Sequence, residues 1–529
     1  MQRRDLIIQL SRAAAALAWQ QVFAPGVRAQ SADAAGWLAP ADTFALGVAS
    51  GEPEPESVVI WTRLAPRPLQ ADGGMPARAI PVKWEVALDA RFTQVLKSGV
   101  AVADPAVAHS VHVQVDGLPS GRSLHYRFEA GGLLSPVGRT RTAPAPQDAV
   151  RSLRMALASC QHYEHGHFAV HREIADSDVD LVLFVGDYIY TTVTPRHIRV
   201  RQHPHDFPRD HAARSLADYR IQHASYKLDA DLRACHAAHP WLMIWDDHEV
   251  LPDYAGDSDP FVGRRDAFLA VRAAAYKAYF EHMPVSPHRL PVDASMPMHG
   301  RYRWGQLADL WALDTRQHRD PAACTGVHAP MDGKLLWRCG AAQAPARTVL
   351  GQKQEDWLAA GLAGSPCTWK FVLQTTQVSP GVIETPLGKL LYAEGWDAFP
   401  AARARLIEAI AQPRVPNVVF LGGDVHRHVA ANLRQDPGDV HSPVIASEVV
   451  TTSVTSKGLS ELANSWMKAC NPDILHMRSD QRGYVLVDVQ PGRVLFDFRG
   501  TPHPVRPQAR LRTQARYAVE RGVPGLRKV

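Results

Sequence analysis

The chain has 529 residues, of which 46% are apolar and 21% charged, and a formal charge of +5. This is an ordinary globular composition, which excludes collagen-like and low-complexity classes. The length exceeds one ordinary core, so a main domain with at least one companion is expected.

The N-terminus, MQRRDLIIQLSRAAAALAWQQVFAPGVRAQ, combines paired arginines, a modest apolar stretch and small residues near Ala29. Residues 1–29 therefore read as a cleaved export signal and are set aside from fold reasoning. Arg3-Arg4 followed by Asp5, Leu6 and Ile7 resembles a twin-arginine signal, although Gln2 stands where Ser or Thr is usual. That resemblance implies the twin-arginine export machinery as a partner and a periplasmic or secreted location. The alternatives are an ordinary secretory peptide or a short amphipathic helix. Removing these residues takes away four arginines and one aspartate, so the charge falls from +5 to +2. A nearly neutral mature chain gives no electrostatic case for nucleic-acid binding. No later run reaches the roughly 18 apolar residues of a membrane span, and no protein partner is indicated.

Residues 40–145 read as short strands with turn signals, SVVIWTRL, VKWEVAL, SVHVQVDGL and LHYRFEA. Their alternation predicts a small β-sandwich. The segment VDGLPSGRSLHYRF resembles the corner of fibronectin type III or immunoglobulin-like domains. Such a module is assigned no chemistry. From about 150 to 529 apolar runs (LRMALASC, VDLVLFVGD, HPWLMIWDD, LADLWALDT, WKFVLQTT, NVVFLGGD, YVLVDV) are separated by helical stretches. That pattern predicts an α/β domain with its site beyond the C-terminal ends of the strands. The basic stretch Arg506 to Lys528 reads as a solvated helix face.

Six cysteines are too few for a disulfide framework in an exported protein of this size. Cys324 and Cys339 share one polar excursion and either pair or stay free. Cys160 follows an apolar strand and precedes a polar loop.

Chemistry-bearing residues collect after four of the apolar runs: Cys160; Asp187 and Tyr190; Asp246, Asp247, His248 and Glu249; Asp424, His426 and His428. Aspartates gathered in one pocket repel each other unless a cation neutralises them. Asp187 suits a position bridging two ions. Thiolate, phenolate and imidazole beside carboxylates suggest ferric iron on one side and a hard, oxygen-binding ion on the other.

Taken in order, Cys160, GDYIY, LADYR, HPWLMIWDDHEV, LDTRQHR, LGQKQEDWL, GWDAFPAAR and GGDVH resemble the PhoD family of alkaline phosphatases and phosphodiesterases, a branch of the calcineurin-like metallophosphoesterases. The resemblance runs from FALGVASGEP at 44–53 to RGYVLVDV at 482–489. It implies a four-layer αββα metallophosphatase domain behind the small β-sandwich. It also implies ferric iron and calcium, or another divalent ion at the second site, held by Cys160, Asp187, Tyr190, Asp424 and His426. Asp253 stands where the family has a calcium-binding Asn, in DDHEVLPDY, and can still supply oxygen. Phe399 replaces the family's usual Tyr.

These readings predict a hydrolase of phosphate esters, monoesters or diesters, in which a metal-bound hydroxide attacks phosphorus. Asp247 and His248 sit at the predicted catalytic edge; His248 would protonate the leaving group or orient phosphate, or make a structural hydrogen bond. Arg316 is either a phosphate clamp or a buried partner of Asp314. Asp246 and Glu249 read as structural groups or caps. His162, His165 and His167 read as a polar loop that could meet phosphate; His197, His203, His205 and His211 as surface or substrate rim. Two rival classes remain: a catalytically weak phosphate-binding protein on the same fold, and a single-iron oxidoreductase.

Overall fold

The computed structural model describes residues 37–208, 212–260, 262–329 and 334–529. The expected export signal and His211 lie outside them. Pro40 to Val529 form one compact unit.

The elements that frame the site, in chain order, are β1 (Leu153–Ala158), α1 (Ala169–Ala175), β2 (Leu181–Val185), α2 (Leu216–Lys227), α3 (Ala230–Ala238), β3 (Pro240–Ile244), α4 (Arg265–His282), β4 (Ala308–Ala312), α5 (Gln352–Ala363), β5 (Trp369–Leu373), α6 (Pro400–Ile410), β6 (Val418–Gly422), β7 (Val444–Val450) and α7 (Glu461–Cys470). Strands β2 to β6 are buried at every residue, which is why they read as unbroken apolar runs rather than alternating ones. The stretch DYRIQHASYKLDADLRACHAA at 218–238 reads in the sequence as a single helix, but the structure divides it in two. Asp229 accepts the backbone N–H groups of Asp231 and Leu232 at 3.0 and 3.1 Å and starts α3 anew. Ser215 and Asp218 form a capping box on α2.

Two large mixed sheets carry the fold. In the first, of ten strands, β1, β2 and β3 run parallel. In the second, of seven, β4, β5, β6 and β7 run parallel. Inner residues of both sheets, such as Leu157, Leu183, Leu310, Phe371 and Leu421, share one core with residues of α1 to α4. Their neighbours Trp311, Val372 and Phe420 point the other way, onto Leu358 and Leu362 of α5 and Leu406 and Ile410 of α6. The order helices, sheet, sheet, helices is the expected four-layer α/β arrangement.

The N-terminal region is antiparallel β, as expected, but only part of it is separate. Ile80–Ala87, Val95–Ala103, Ser123–Ala130, Leu133–Leu134 and Gly138–Arg141 make a five-stranded sheet. Val48–Gly51, Ser57–Arg63 and Ser110–Asp116 instead extend the ten-stranded sheet, with Val48–Gly51 parallel to β3. At the other end, the basic stretch expected as a helix is a pair of strands, Arg512–Glu520 and Val523–Lys528. Ala515, Tyr517 and Val519 join the main core from alternate positions there, so the period is two rather than 3.6.

Candidate metal centre

The C-terminal ends of the parallel strands of both sheets converge. Cys160 follows β1, Asp187 follows β2, Asp246 to His248 follow β3, Thr375 and Thr376 follow β5, and Asp424 and His426 follow β6. The strand-to-loop turns there are abrupt. Among the described residues, twelve non-glycine positions have φ in the left-handed region, and five of them are Cys160, Asp187, Asp253, Asp424 and His426. Such backbone persists where the surroundings over-determine it, and it clusters at functional sites. Gly186 explains the Gly-Asp pair: its φ is +95°, and a Cβ there would lie 2.6 Å from Cβ of Asp246.

Ligand-capable atoms of Cys160, Asp187 and His426 lie within 4.8 Å of one another, and so do those of Asp187, Asp247 and His248. Asp187 belongs to both groups. Its Oδ2 accepts from the Tyr190 hydroxyl at 2.7 Å, while its Oδ1 is buried without a partner. Tyr190 Oη also lies 3.1 Å from His426 Nε2 and 2.8 Å from Ser456 Oγ. His426 Nδ1 lies 2.8 Å from the Lys457 carbonyl; a proton on Nδ1 leaves the Nε2 lone pair facing the cluster.

The electrostatics fit cations. Seven carboxyl groups (Asp187, Asp246, Asp247, Glu249, Asp253, Glu394 and Asp424) face the cationic side chains of Arg316, Arg319 and Lys334. Burial, then the neighbouring acids Asp247 and Asp246, raises Asp187 well above the usual carboxylate range. Burial, then Asp246 and Asp247, pushes Asp424 up to about 7. Burial likewise raises the Cys160 thiol and the Tyr190 phenol, with Asp187 adding to both, and lowers His426 to about 3. Unpartnered Asp187 Oδ1 and Asp246 Oδ2 beside a thiol, a phenol and imidazoles form a donor set that a metal ion would complete.

Residues 155–498 match the model of the PhoD-like phosphatase family, and residues 30–144 match the model of its N-terminal domain. The chain belongs to the PhoD-like phosphatase family. It is 40% identical over 492 residues to alkaline phosphatase D of Bacillus subtilis (strain 168), covering 92% of this chain and 82% of that protein. The solved structure titled "Structure of PhoD" superposes with a TM-score of 0.85 at 40% identity, covering 92% of each chain.

Other predicted residues of this PhoD-like centre take more varied places. Asp424 faces the pocket but accepts from Thr376 Oγ1 at 2.7 Å and the Tyr392 hydroxyl at 3.3 Å, outside both close groups. Asp247 Oδ2 accepts the Asp253 N–H at 2.6 Å. Burial opposes its ionisation, but Arg316 and His248 outweigh that and hold it below the usual carboxylate range. His248 is half-buried, its ring 4.2 Å from that of Tyr190 and its Nδ1 unpartnered. Arg316 is 1% exposed and enclosed by Asp246 at 2.5 Å, Glu394 at 2.7 Å and Asp247 at 3.5 Å. Its place is the buried one of the two foreseen, with Asp246 and Glu394 rather than Asp314 as side-chain partners. The Asp253 carboxylate is not in either close group; it is held by Lys334.

Glu249 ties the loops together. Its carboxylate accepts the backbone N–H groups of Asp187 and Asp246, at 3.2 and 2.8 Å, and of Tyr188. Burial pushes it up to about 8. His162 stacks on His165, with ring centroids 3.8 Å apart, and lies tilted against Tyr190 at 4.4 Å. His167 is tied elsewhere, its N–H on the Val505 carbonyl. His428 is structural, its Nδ1 accepting the Thr452 N–H at 3.1 Å. His203 contacts His205 and Phe207, and His197 is exposed. Sequence reasoning missed Lys334, Thr376, Tyr392, Glu394 and Ser456. Two of them stood beside a quoted segment: Thr376 ends the run WKFVLQTT, and Glu394 directly precedes GWDAFPAAR.

Proposed function

We propose that this protein is an exported phosphoesterase whose centre takes two metal ions, ferric iron in the Cys160, Asp187, Tyr190 and His426 set and calcium or another divalent ion on the Asp187, Asp247 and His248 side. The observation that carries the reading is the double membership of Asp187, with one buried oxygen unpartnered. When bound, the ions would supply charge neutralisation at the phosphoryl oxygens and activation of water.

The side chains supply the rest. Asp187, Asp247 and Asp424 concentrate negative charge, so a phosphate ester enters only once that charge is balanced. Arg316, enclosed by three carboxylates, balances part of it from beneath and positions Asp246 and Asp247. His248, half-buried over Tyr190 with a free nitrogen, is placed to donate a proton to the departing oxygen or to orient the phosphoryl group. A second group around Asp247 and His248 speaks against a single-iron oxidoreductase. Residues 40–145 act as a supporting β module without chemistry of their own. The Cys324–Cys339 disulfide supports the periplasmic or secreted location, because such bonds persist in oxidising compartments. Among the described residues no helix is long and apolar enough to cross a membrane.

The test is hydrolysis of an aryl phosphomonoester beside an aryl phosphodiester by protein purified without chelator. Turnover by the native chain, lost in Asp187→Ala, supports the hydrolase, and the preferred ester narrows its substrate class. No turnover of either ester with metals bound would favour the binding-only reading.

A further inference from the structure

Lys334 does something at the centre that neither its sequence context nor the family resemblance suggests. Its ammonium meets both carboxylate oxygens of Asp253, Oδ1 at 2.6 Å and Oδ2 closer still. Asp253 is joined to the cluster by its own N–H on Asp247 Oδ2. The contact is not that of a wandering surface lysine. The Lys334 carbonyl accepts the Ala393 N–H at 3.0 Å, and the next residues, Leu335–Trp337, pair antiparallel with Gly388–Tyr392. That second strand ends at Tyr392, whose hydroxyl reaches Asp424. The Cys324–Cys339 disulfide closes the excursion on both sides of Lys334.

We propose that Lys334 is a tethered cation that holds Asp253 in place of a metal ion, leaving the second ion weakly bound and exchangeable; this rests on the two-ion reading above. An ammonium that meets both oxygens of a carboxylate takes one lone pair of each and neutralises its charge, and it repels a hard cation approaching the lone pairs that are left. Calcium takes six to eight oxygen ligands. The Asp187–Asp247–His248 group offers few, so without Asp253 water and substrate oxygens must complete the shell. The Lys334 side chain is 48% exposed, so an incoming phosphate ester can draw the ammonium off Asp253 and free that carboxylate for the ion during turnover.

The experiment is calcium and magnesium titration by calorimetry, with elemental analysis, on the full mature chain purified without chelator. Lys334→Met is expected to bind calcium at least about tenfold more tightly than the native chain, and Lys334→Arg to keep native affinity. Adding Asp253→Ala, which leaves no side-chain oxygen at that position, to Lys334→Met should remove the gain. Calcium binding by Lys334→Met no tighter than native, or an equal gain in Lys334→Arg, overturns the proposal. Should Lys334→Met fail to fold, Lys334→Gln makes the same prediction. Ester hydrolysis is followed in parallel: a tightened ion in a protein inactive on every ester would sink the hydrolase reading while leaving the role of Lys334 intact.

Discussion

The two sides of the centre are built in different ways. Cys160, Asp187 and His426 hang from the ends of hydrogen-bonded parallel strands in two facing sheets, and Tyr190 follows three residues behind Asp187. Asp253 and Lys334 come from loops, and Lys334 arrives on a disulfide-closed excursion far along the chain. A ligand on a strand end inherits the rigidity of the sheet, whereas a loop residue can be exchanged without disturbing the core. In the two-ion reading both close groups would be set by strand ends, and the loop residues Asp253 and Lys334 beside the second are where the chain can be tuned.

The largest effect tests what the two sides share. Asp187→Ala should lower hydrolysis by about three orders of magnitude or more and reduce the content of both metals, as read by elemental analysis. Loss of one metal alone would show that the sides are independent. Glu249→Ala comes next, because it strands the buried N–H groups of Asp187, Tyr188 and Asp246. It should cost about 3 kcal/mol in chemical denaturation. Tyr190→Phe acts on the first side only. It should abolish visible tyrosinate absorption and lower hydrolysis roughly 10- to 100-fold, with calcium binding unchanged.

A pH series on chelated protein sharpens the contrast between bound and metal-free states. Asp424 and Glu249 titrate near 7 and 8 in the metal-free fold, against ordinary values of 3.8 and 4.5. Both are raised, so the folded state holds protons that the unfolded chain releases. Buried histidines with lowered values, such as His171, His223 and His428, act in the opposite sense below about pH 6.5, so the readout is a difference: the gain in melting temperature on restoring metal to the chelated protein should grow as pH rises from about 5 to 8. The smallest effect belongs to the loop side. Reducing Cys324–Cys339 should leave iron content untouched and tighten calcium by a few fold, in the same direction as removing Lys334.

The same division explains what the sequence disclosed. Runs such as VDLVLFVGD are legible because a strand buried on both faces has no polar positions until it ends, so the first Asp marks the site. Lys334 was not legible. It sits in a polar stretch without period, and its approach to Asp253 depends on a disulfide and a three-stranded sheet that join distant segments. Arg316 was visible as a candidate, but its partners come from β3's end and from Glu394, which no spacing could reveal. The C-terminal strands were misread because Arg, Ala and Glu favour helix, and the alternation of Ala515, Tyr517 and Val519 is short. Phe399 has a structural account beyond packing: the guanidinium groups of Arg319 and Arg347 lie 4.6 and 4.7 Å from its ring centroid.

The strand Val48–Gly51 lies against β3, pairing Ser50 with Pro240 and Gly51 with Trp241. Cutting the chain near residue 150 would bare a parallel edge in the middle of the molecule, next to the loop that carries Asp246 to Glu249. A naked edge of that kind recruits other chains. The two segments that match separate family models are thus a single inheritance: neither can be shuffled into a new protein without taking the other's sheet apart.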